Sequence, residues 1–533
     1  MKSSAKPILR DWHVVALCGF ALWLINAIWL VKDTRLPVWD MALHQIYALN
    51  YVPGFMAPEG WSVWEYSGNY PPLVHLFMAA VFTVFHPEPD IATLANLGAT
   101  LVLFWALMQL GRYFLSATAA RWACVLMLLT PYLIWMSRET ILDYWLSAWV
   151  AMSWVLLIRS DGFESGRWSW LFGLVSAFGL LTKWLFAGFM AAPFLLLAIR
   201  HRIWKQEERL AHALQSLMIA AAVGGIWYLP NLPHLFLYFR QNAQVGALEG
   251  EPPVFSFQSF IYYLRLLEGY QLYALLFVLL AGGMVFAVGR RVLRDPAMWI
   301  AIVAGGWFAM TMLRTKDPRF TMPLLAPLLL IPGAWLASWG GVRLGSVLRI
   351  VVIAVLAVQA YATNFGISWL PQQVILMPGY QGSLRWDWQL FSQHYFGILG
   401  APRREDWKQN EIISRVADEA GRRGVRMSLA LVPDFPRFNY FNFQLAAKLA
   451  KIPMRIDHLQ FATGGFAAFN KYDFAIMSEN DQGMPWSTRE AGPLNDVITG
   501  RPDIFKIVSM YNLPGGEVVR LYFIDRESDA AKQ

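Results

Sequence analysis

Apolar residues come in long blocks in this chain, separated by short polar segments. Blocks occupy 13–31, 92–110, 120–136, 142–158, 168–182, 184–200, 211–229, 270–289, 297–312, 319–338 and 345–364. A helix needs roughly 20 apolar residues to cross a hydrocarbon core, so the pattern predicts about eleven spans. The first block is too long, and lacks the small-residue cleavage site, for a removed signal peptide. One further run, Pro71 to Phe85, is short, opens on Pro71-Pro72 and lies between polar stretches. That predicts an interfacial or re-entrant helix on the outer face rather than another span.

Beyond about residue 400 the pattern changes. EDWKQNEIISRVADEAGRR has helical periodicity, whereas VRMSLALVP, MRIDHL, YDFAIMS, DIFKIVSMY and GEVVRLYFI read as short strands. The expected fold is therefore an α-helical polytopic membrane domain over 1–370, a linker over 371–399 and a small soluble α/β domain over 400–533. No phosphate-binding glycine motif occurs in that last domain, which predicts a structural or acceptor-docking module without chemistry of its own.

Composition agrees with the pattern: 57% of residues are hydrophobic and 15% charged, and mean hydropathy is +0.39, which excludes a soluble enzyme. The two cysteines, Cys18 and Cys124, lie in apolar blocks, so no disulfide framework is available to an exported part. A net charge of +8 invites a nucleic-acid partner, but the basic residues gather in short inter-span loops. Those are Arg112 and Arg121, Arg159 and Arg167, Arg200 to Arg209, Arg290 to Arg294, and Arg343 to Arg349. The positive-inside rule accounts for them without nucleic acid and puts the N-terminus inside.

The same parity places 33–90, 137–143, Thr182-Lys183, 230–269, 314–319 and everything after about Tyr361 on the outer side. Ionisable residues at membrane depth are costly, so their convergence on one side predicts a functional site there. A transporter would share the span count, but it would show mid-span charges or an internal repeat. Neither is evident.

Five motifs occur in order: Asp40 within RLPVWDMALHQ, YPPL (70–73), SRETILDYW (137–145), LLTKW (180–184) and KDPRFTMPLLAP (316–327). Over roughly Leu9 to Leu370 the combination resembles glycosyltransferase family 39 of the GT-C superfamily. That family includes protein O-mannosyltransferases and the aminoarabinose transferases of lipid A. The resemblance implies transfer of a sugar from a polyprenyl-phosphate-linked donor to a lipid or cell-envelope glycan acceptor on the outer face, with protein O-mannosylation as the alternative. No large lumenal-type insertion and no N-x-[ST] sequon occur, which favours a bacterial inner membrane with the terminal domain in the periplasm.

By the same resemblance Asp40 is the general base and Asp143 a second catalytic acid that positions substrate or orders Arg138. Lys183 and Arg319 are the first choices for the donor phosphate, followed by Arg265, Arg314 and Lys316. His44, Tyr70, Arg138 and Glu139 fall to substrate positioning, and Trp184 to packing of the lipid tail. Aminoarabinose transferases carry a metal-associated acid shortly before the paired prolines, where this chain has Ser67-Gly68-Asn69. No required metal is therefore predicted, although Glu65, His75 and His234 could supply ligands for a divalent ion if their loops converge.

Overall fold

The computed structural model describes residues 11–55, 62–248, 251–341, 343–367, 373–375, 392–394, 400–459, 465–484, 487–488 and 491–526. It divides into two units. One comprises Met1–Trp29, Gly60–Phe77 and Thr93–Ala401, and the other Leu30–Glu59, Met78–Ala92 and Pro402–Gln533.

Each apolar block predicted as a span is helical. In chain order the helices are α1 (Trp12–Lys32), α2 (Trp39–Asn50), α3 (Leu73–Val84), α4 (Pro89–Ala92) and α5 (Asn96–Phe114). Next come α6 (Ala117–Leu128), α7 (Pro131–Arg138), α8 (Leu142–Arg159), α9 (Gly166–Leu180), α10 (Phe186–Arg200) and α11 (Glu207–Leu248). The series closes with α12 (Phe257–Leu266), α13 (Tyr273–Arg290), α14 (Pro296–Thr311), α15 (Leu325–Ser338) and α16 (Arg343–Phe365). Among the described residues six helical stretches are long and apolar enough to cross a membrane, or seven if the α6–α7 pair is one broken span.

Three places depart from the pattern read off the sequence. The block at 120–136 is not one straight helix, because α6 and α7 meet at 67°. Pro131 explains the break: it disfavours helical backbone at Thr130, which is extended, and then opens α7 from its first turn. The loop expected over 230–269 is largely helical instead. The apolar positions Leu232, Leu235, Phe236 and Phe239 carry α11 through Pro230 and Pro233 to Leu248. Finally, α12 and α13 run as one 34-residue stretch joined by a π-helical turn, Leu267–Leu272.

Close helix packing in the first unit depends on small residues. A Cβ on Gly173 of α9 would lie 2.5 Å from the Ser216 carbonyl of α11, and one on Gly333 of α15 would lie 2.7 Å from the Ala119 carbonyl of α6. Such contacts let backbones approach where no hydrophobic driving force separates helix from lipid.

The C-terminal part of the second unit contains every strand the pattern predicted: β3 (Ser428–Leu431), β4 (Arg455–His458), β5 (Phe474–Ser478), β6 (Phe505–Asn512) and β7 (Val518–Ile524). The linker expected over 371–399 lies mostly outside the described residues; within it β1 (Gln373–Ile375) pairs in parallel with β2 (Ser392–His394). The five-stranded sheet has the order β4-β3-β5-β7-β6, with β3 parallel to both neighbours and β6–β7 an antiparallel hairpin. Alternation along β3 sends Leu429 and Leu431 to one core with α17 (Gln409–Arg423) and α18 (Tyr440–Leu449), and Ala430 to the other with α19 (Ala491–Gly500). Helix α2 belongs to this unit and packs on α18.

Candidate functional site

Asp143 and Lys183 form a buried ion pair in the first unit. Asp143 sits in the first turn of α8, where free N–H groups and the helix dipole favour a carboxylate. Lys183 lies in the break between α9 and α10, its backbone N–H still bonded to the Gly179 carbonyl at 3.0 Å. Its Nζ donates to both carboxylate oxygens of Asp143, at 2.8 and 2.9 Å, and both residues are buried. The ring of Phe320 lies 4.9 Å from the same Nζ. Two motifs 40 residues apart thus meet through their charges. Arg138, which the sequence offered as a residue ordered by Asp143, reaches across to other elements. It is buried, donates to Asn364 Oδ1 at 2.8 Å and stacks on Trp29 at 4.1 Å, while Glu139 accepts from Trp135 Nε1 at 2.9 Å.

The connection from α14 to α15 carries three further cations, Arg314, Lys316 and Arg319. Arg319 is bonded to Asp317 through its own N–H at 2.8 Å and its guanidinium at 2.6 Å. Buried Lys316 donates from Nζ to the Thr311 and Leu313 carbonyls, and from its backbone N–H to Glu251 at 2.7 Å. Arg314 donates to the Glu251 and Pro252 carbonyls. Burial pushes the Lys316 ammonium down to about 8, outweighing the opposing pull of Glu251. Nearby, Gln271 Nε2 holds the Pro318 carbonyl and the Thr321 hydroxyl. Arg265 is half-buried on α12.

Tyr70 of YPPL and Trp184 of LLTKW stack with centroids 5.7 Å apart, and the Leu73 N–H bonds the Leu181 carbonyl at 3.1 Å. Tyr238 and Phe239, on the part of α11 expected to be loop, pack edge-on against Trp184 at 5.5 and 5.0 Å. The Tyr238 hydroxyl is 3.3 Å from that of Tyr70. Four aromatic rings therefore adjoin the backbone that carries Lys183.

Asp40 and His44 lie in the second unit. Asp40 is half-buried in the first turn of α2 and His44 is buried one turn later. The segment ahead of α2 is held by the C-terminal part of the unit. Arg437 donates to the Leu36 carbonyl at 2.7 Å, Asn442 to the Pro37 carbonyl, and Trp39 Nε1 to Asp434 Oδ1 at 2.9 Å.

The suggested metal ligands do not come together: among the described residues no three His, Cys, Asp or Glu side chains are grouped to hold an ion. His75 is buried with Nδ1 2.8 Å from Ser67 Oγ, whereas His234 is exposed on α11. Glu65, His75 and His234 therefore do not fit a shared divalent ion.

Sequence reasoning missed Asp317, Glu251, Tyr238, Asn364 and Trp29. Asp317 stands inside the KDPRF motif and was within reach of a reading that paired charges as well as counting cations. Glu251 and Tyr238 lay in a stretch read as loop, and nothing in the spacing of Trp29, Arg138 and Asn364 announces their contact.

Residues 69–228 match a family model described as dolichyl-phosphate-mannose-protein mannosyltransferase. No curated protein sequence matches the chain significantly. Among solved structures, apo ArnT from Cupriavidus metallidurans is similar at TM-score 0.57 and 16% identity, over 95% of this chain and 97% of that one. The same protein bound to undecaprenyl phosphate gives 0.56 and 15%, over 96% and 98%. Arabinofuranosyltransferase AftD from Mycobacteria gives 0.50 and 14%, over 96% of this chain and 40% of that one. These likenesses are of fold, and the fold is GT-C. With its long apolar helices the chain is a multi-pass membrane protein of that fold, and the family match covers its residues 69–228.

Proposed function

We propose that this protein of GT-C fold is a glycosyltransferase that moves a sugar from a polyprenyl-phosphate-linked donor to a lipid or glycan acceptor on the outer face of a bacterial inner membrane. The observation that carries the reading is the arrangement around Lys183: a buried ammonium beside an aromatic cluster and the cation-bearing α14–α15 connection, within a fold shared with a protein solved with undecaprenyl phosphate. Leaving-group charge grows on phosphate as the glycosidic bond breaks, and cations held in a low-dielectric site stabilise it. Lys183 and Arg319 serve that phosphate first, each released in part from its carboxylate, with Arg265, Arg314 and Lys316 supporting. Tyr70 and Trp184 pack the donor, and Arg138, Glu139 and His44 order the surrounding elements.

Asp40 is the proposed general base, on the resemblance of its motif. Its carboxylate takes the proton of the acceptor hydroxyl as that oxygen bonds the anomeric carbon. The bond from that carbon to the phosphate oxygen breaks, and polyprenyl phosphate leaves with the electron pair. Basic-loop parity supports the outward placement of the acceptor side.

The test is transfer from a labelled panel of polyprenyl-phosphate sugars to an envelope extract, comparing wild type with Asp40→Asn. Label should move only with the wild type, while both proteins melt alike. Full turnover by Asp40→Asn removes Asp40 from the mechanism. A second reading, transfer to protein, is favoured by the description of the matching family model. Label recovered in protease-sensitive material rather than in lipid or glycan would select it.

A further inference from the structure

We propose that the C-terminal sheet domain is a positioning element for the reaction: Asp434, just beyond β3, holds Trp39 and through it sets the direction of the adjacent Asp40 carboxylate. The inference rests on the proposed role of Asp40 as base. It gives the terminal domain a part in catalysis that composition and motif do not suggest.

Three observations carry it. First, Trp39 has φ of +26°, a region that a bulky L-residue rarely adopts. Such a conformation is strained and persists only where the surroundings over-determine it. Second, the surroundings do so. The Leu36 and Pro37 carbonyls and the Trp39 indole are each bonded to a different side chain, those of Arg437, Asn442 and Asp434. Asn442 is itself locked in a capping box with Asn439 at the start of α18. Upstream, Asp33 accepts from the Arg403 N–H at 2.9 Å and the Thr34 N–H bonds the Arg403 carbonyl at 3.1 Å.

Third, Asp434 is held on every side. Its N–H bonds the Gln482 carbonyl at 2.7 Å, its carbonyl accepts from Met484 at 3.1 Å, and its second carboxylate oxygen accepts from the Ser487 hydroxyl. Gly483 makes this approach possible, with φ of +98° and a Cβ position that would fall 2.2 Å from the Asp434 carbonyl oxygen. A fixed acceptor thus grips the side chain of a strained residue whose next neighbour is Asp40. Rotation about the Trp39 backbone would swing that carboxylate, and the hydrogen bond to Asp434 opposes the rotation.

The experiment measures kcat, donor KM and melting of the full chain for Trp39→Phe, Asp434→Ala, Asp434→Asn and the double variant Trp39→Phe/Asp434→Ala. Trp39→Phe keeps a ring but removes the donor. Asp434→Asn keeps an acceptor oxygen. Misplacing a reacting group by an ångström costs up to about a hundredfold, so Trp39→Phe and Asp434→Ala should each lower kcat by roughly ten- to a hundredfold with donor KM little changed. Asp434→Asn should recover most of the loss, and the double variant should be no slower than the worse single, because one bond is removed twice. Unchanged kcat in folded single variants, losses that multiply in the double, or an Asp434→Asn no better than Asp434→Ala would each overturn the proposal. If Asp434→Ala does not fold, Trp39→Phe decides alone, since it creates no buried charge. Turnover by Asp40→Asn is a different failure: it removes the base, whereas an inactive Asp40→Asn beside a normal Trp39→Phe removes only the positioning.

Discussion

Removal of Lys183 separates a structural ion pair from a donor-binding cation. In Lys183→Ala the Asp143 carboxylate loses both of its Nζ hydrogen bonds, at 2.8 and 2.9 Å, while staying buried at 1% exposure. Breaking a buried pair by deleting one partner costs about 3–5 kcal/mol, because the survivor is an uncompensated charge. Against a total stability of roughly 5–15 kcal/mol that is a large loss, so Lys183→Ala should melt well below wild type in detergent. Replacing both partners with apolar groups of similar volume is often neutral or stabilising. Lys183→Met/Asp143→Leu should therefore regain most of the melting temperature. It should not regain transfer if Lys183 serves the donor phosphate. Thermal unfolding and donor KM measured on the same preparations give the answer. Wild-type melting of Lys183→Ala would refute the buried-pair argument, and normal donor use by the refolded double variant would refute the phosphate role.

Three other outcomes are expected. Because burial holds Lys316 near 8 in the folded chain against an ordinary 10.5, the unfolded chain binds more protons between those values. Stability should therefore rise as pH increases from about 8 towards 10.5, and Lys316→Met should flatten that rise; melting curves across the window that stay parallel would contradict the burial argument. Arg138→Lys keeps the charge but loses the guanidinium stack on Trp29 and the hydrogen bond to Asn364, and should cost about 1–3 kcal/mol, read as a lowered melting temperature. Ser414→Cys, on the exposed side of α17, should react with an impermeant maleimide only from outside the cell, against a silent background because Cys18 and Cys124 are buried; reaction only from inside would invert the topology.

Much of the site was legible residue by residue. The pairs YPPL with LLTKW, and SRETILDYW with LLTKW, do adjoin in the first unit through Tyr70 on Trp184 and Asp143 on Lys183. What the motifs concealed was who answers whose charge. Arg319 already has Asp317 beside it and Lys183 has Asp143, so the cations counted as donor ligands are also structural partners. Charge counting along a chain registers the cations but not their geometry.

Hydrophobicity averaged along the chain was enough to determine the membrane class, the helical character of each apolar block and the five strands of the terminal sheet. Lipid and core burial each impose a one-dimensional periodicity that any local window reveals. Only the tertiary structure decided the rest. It broke one block at Pro131, carried α11 through two prolines, and joined Trp39 to Asp434 across 395 residues. Those outcomes depend on which backbone groups find partners after the elements pack. Side chains far apart in the chain become neighbours through packing that no local repeat encodes.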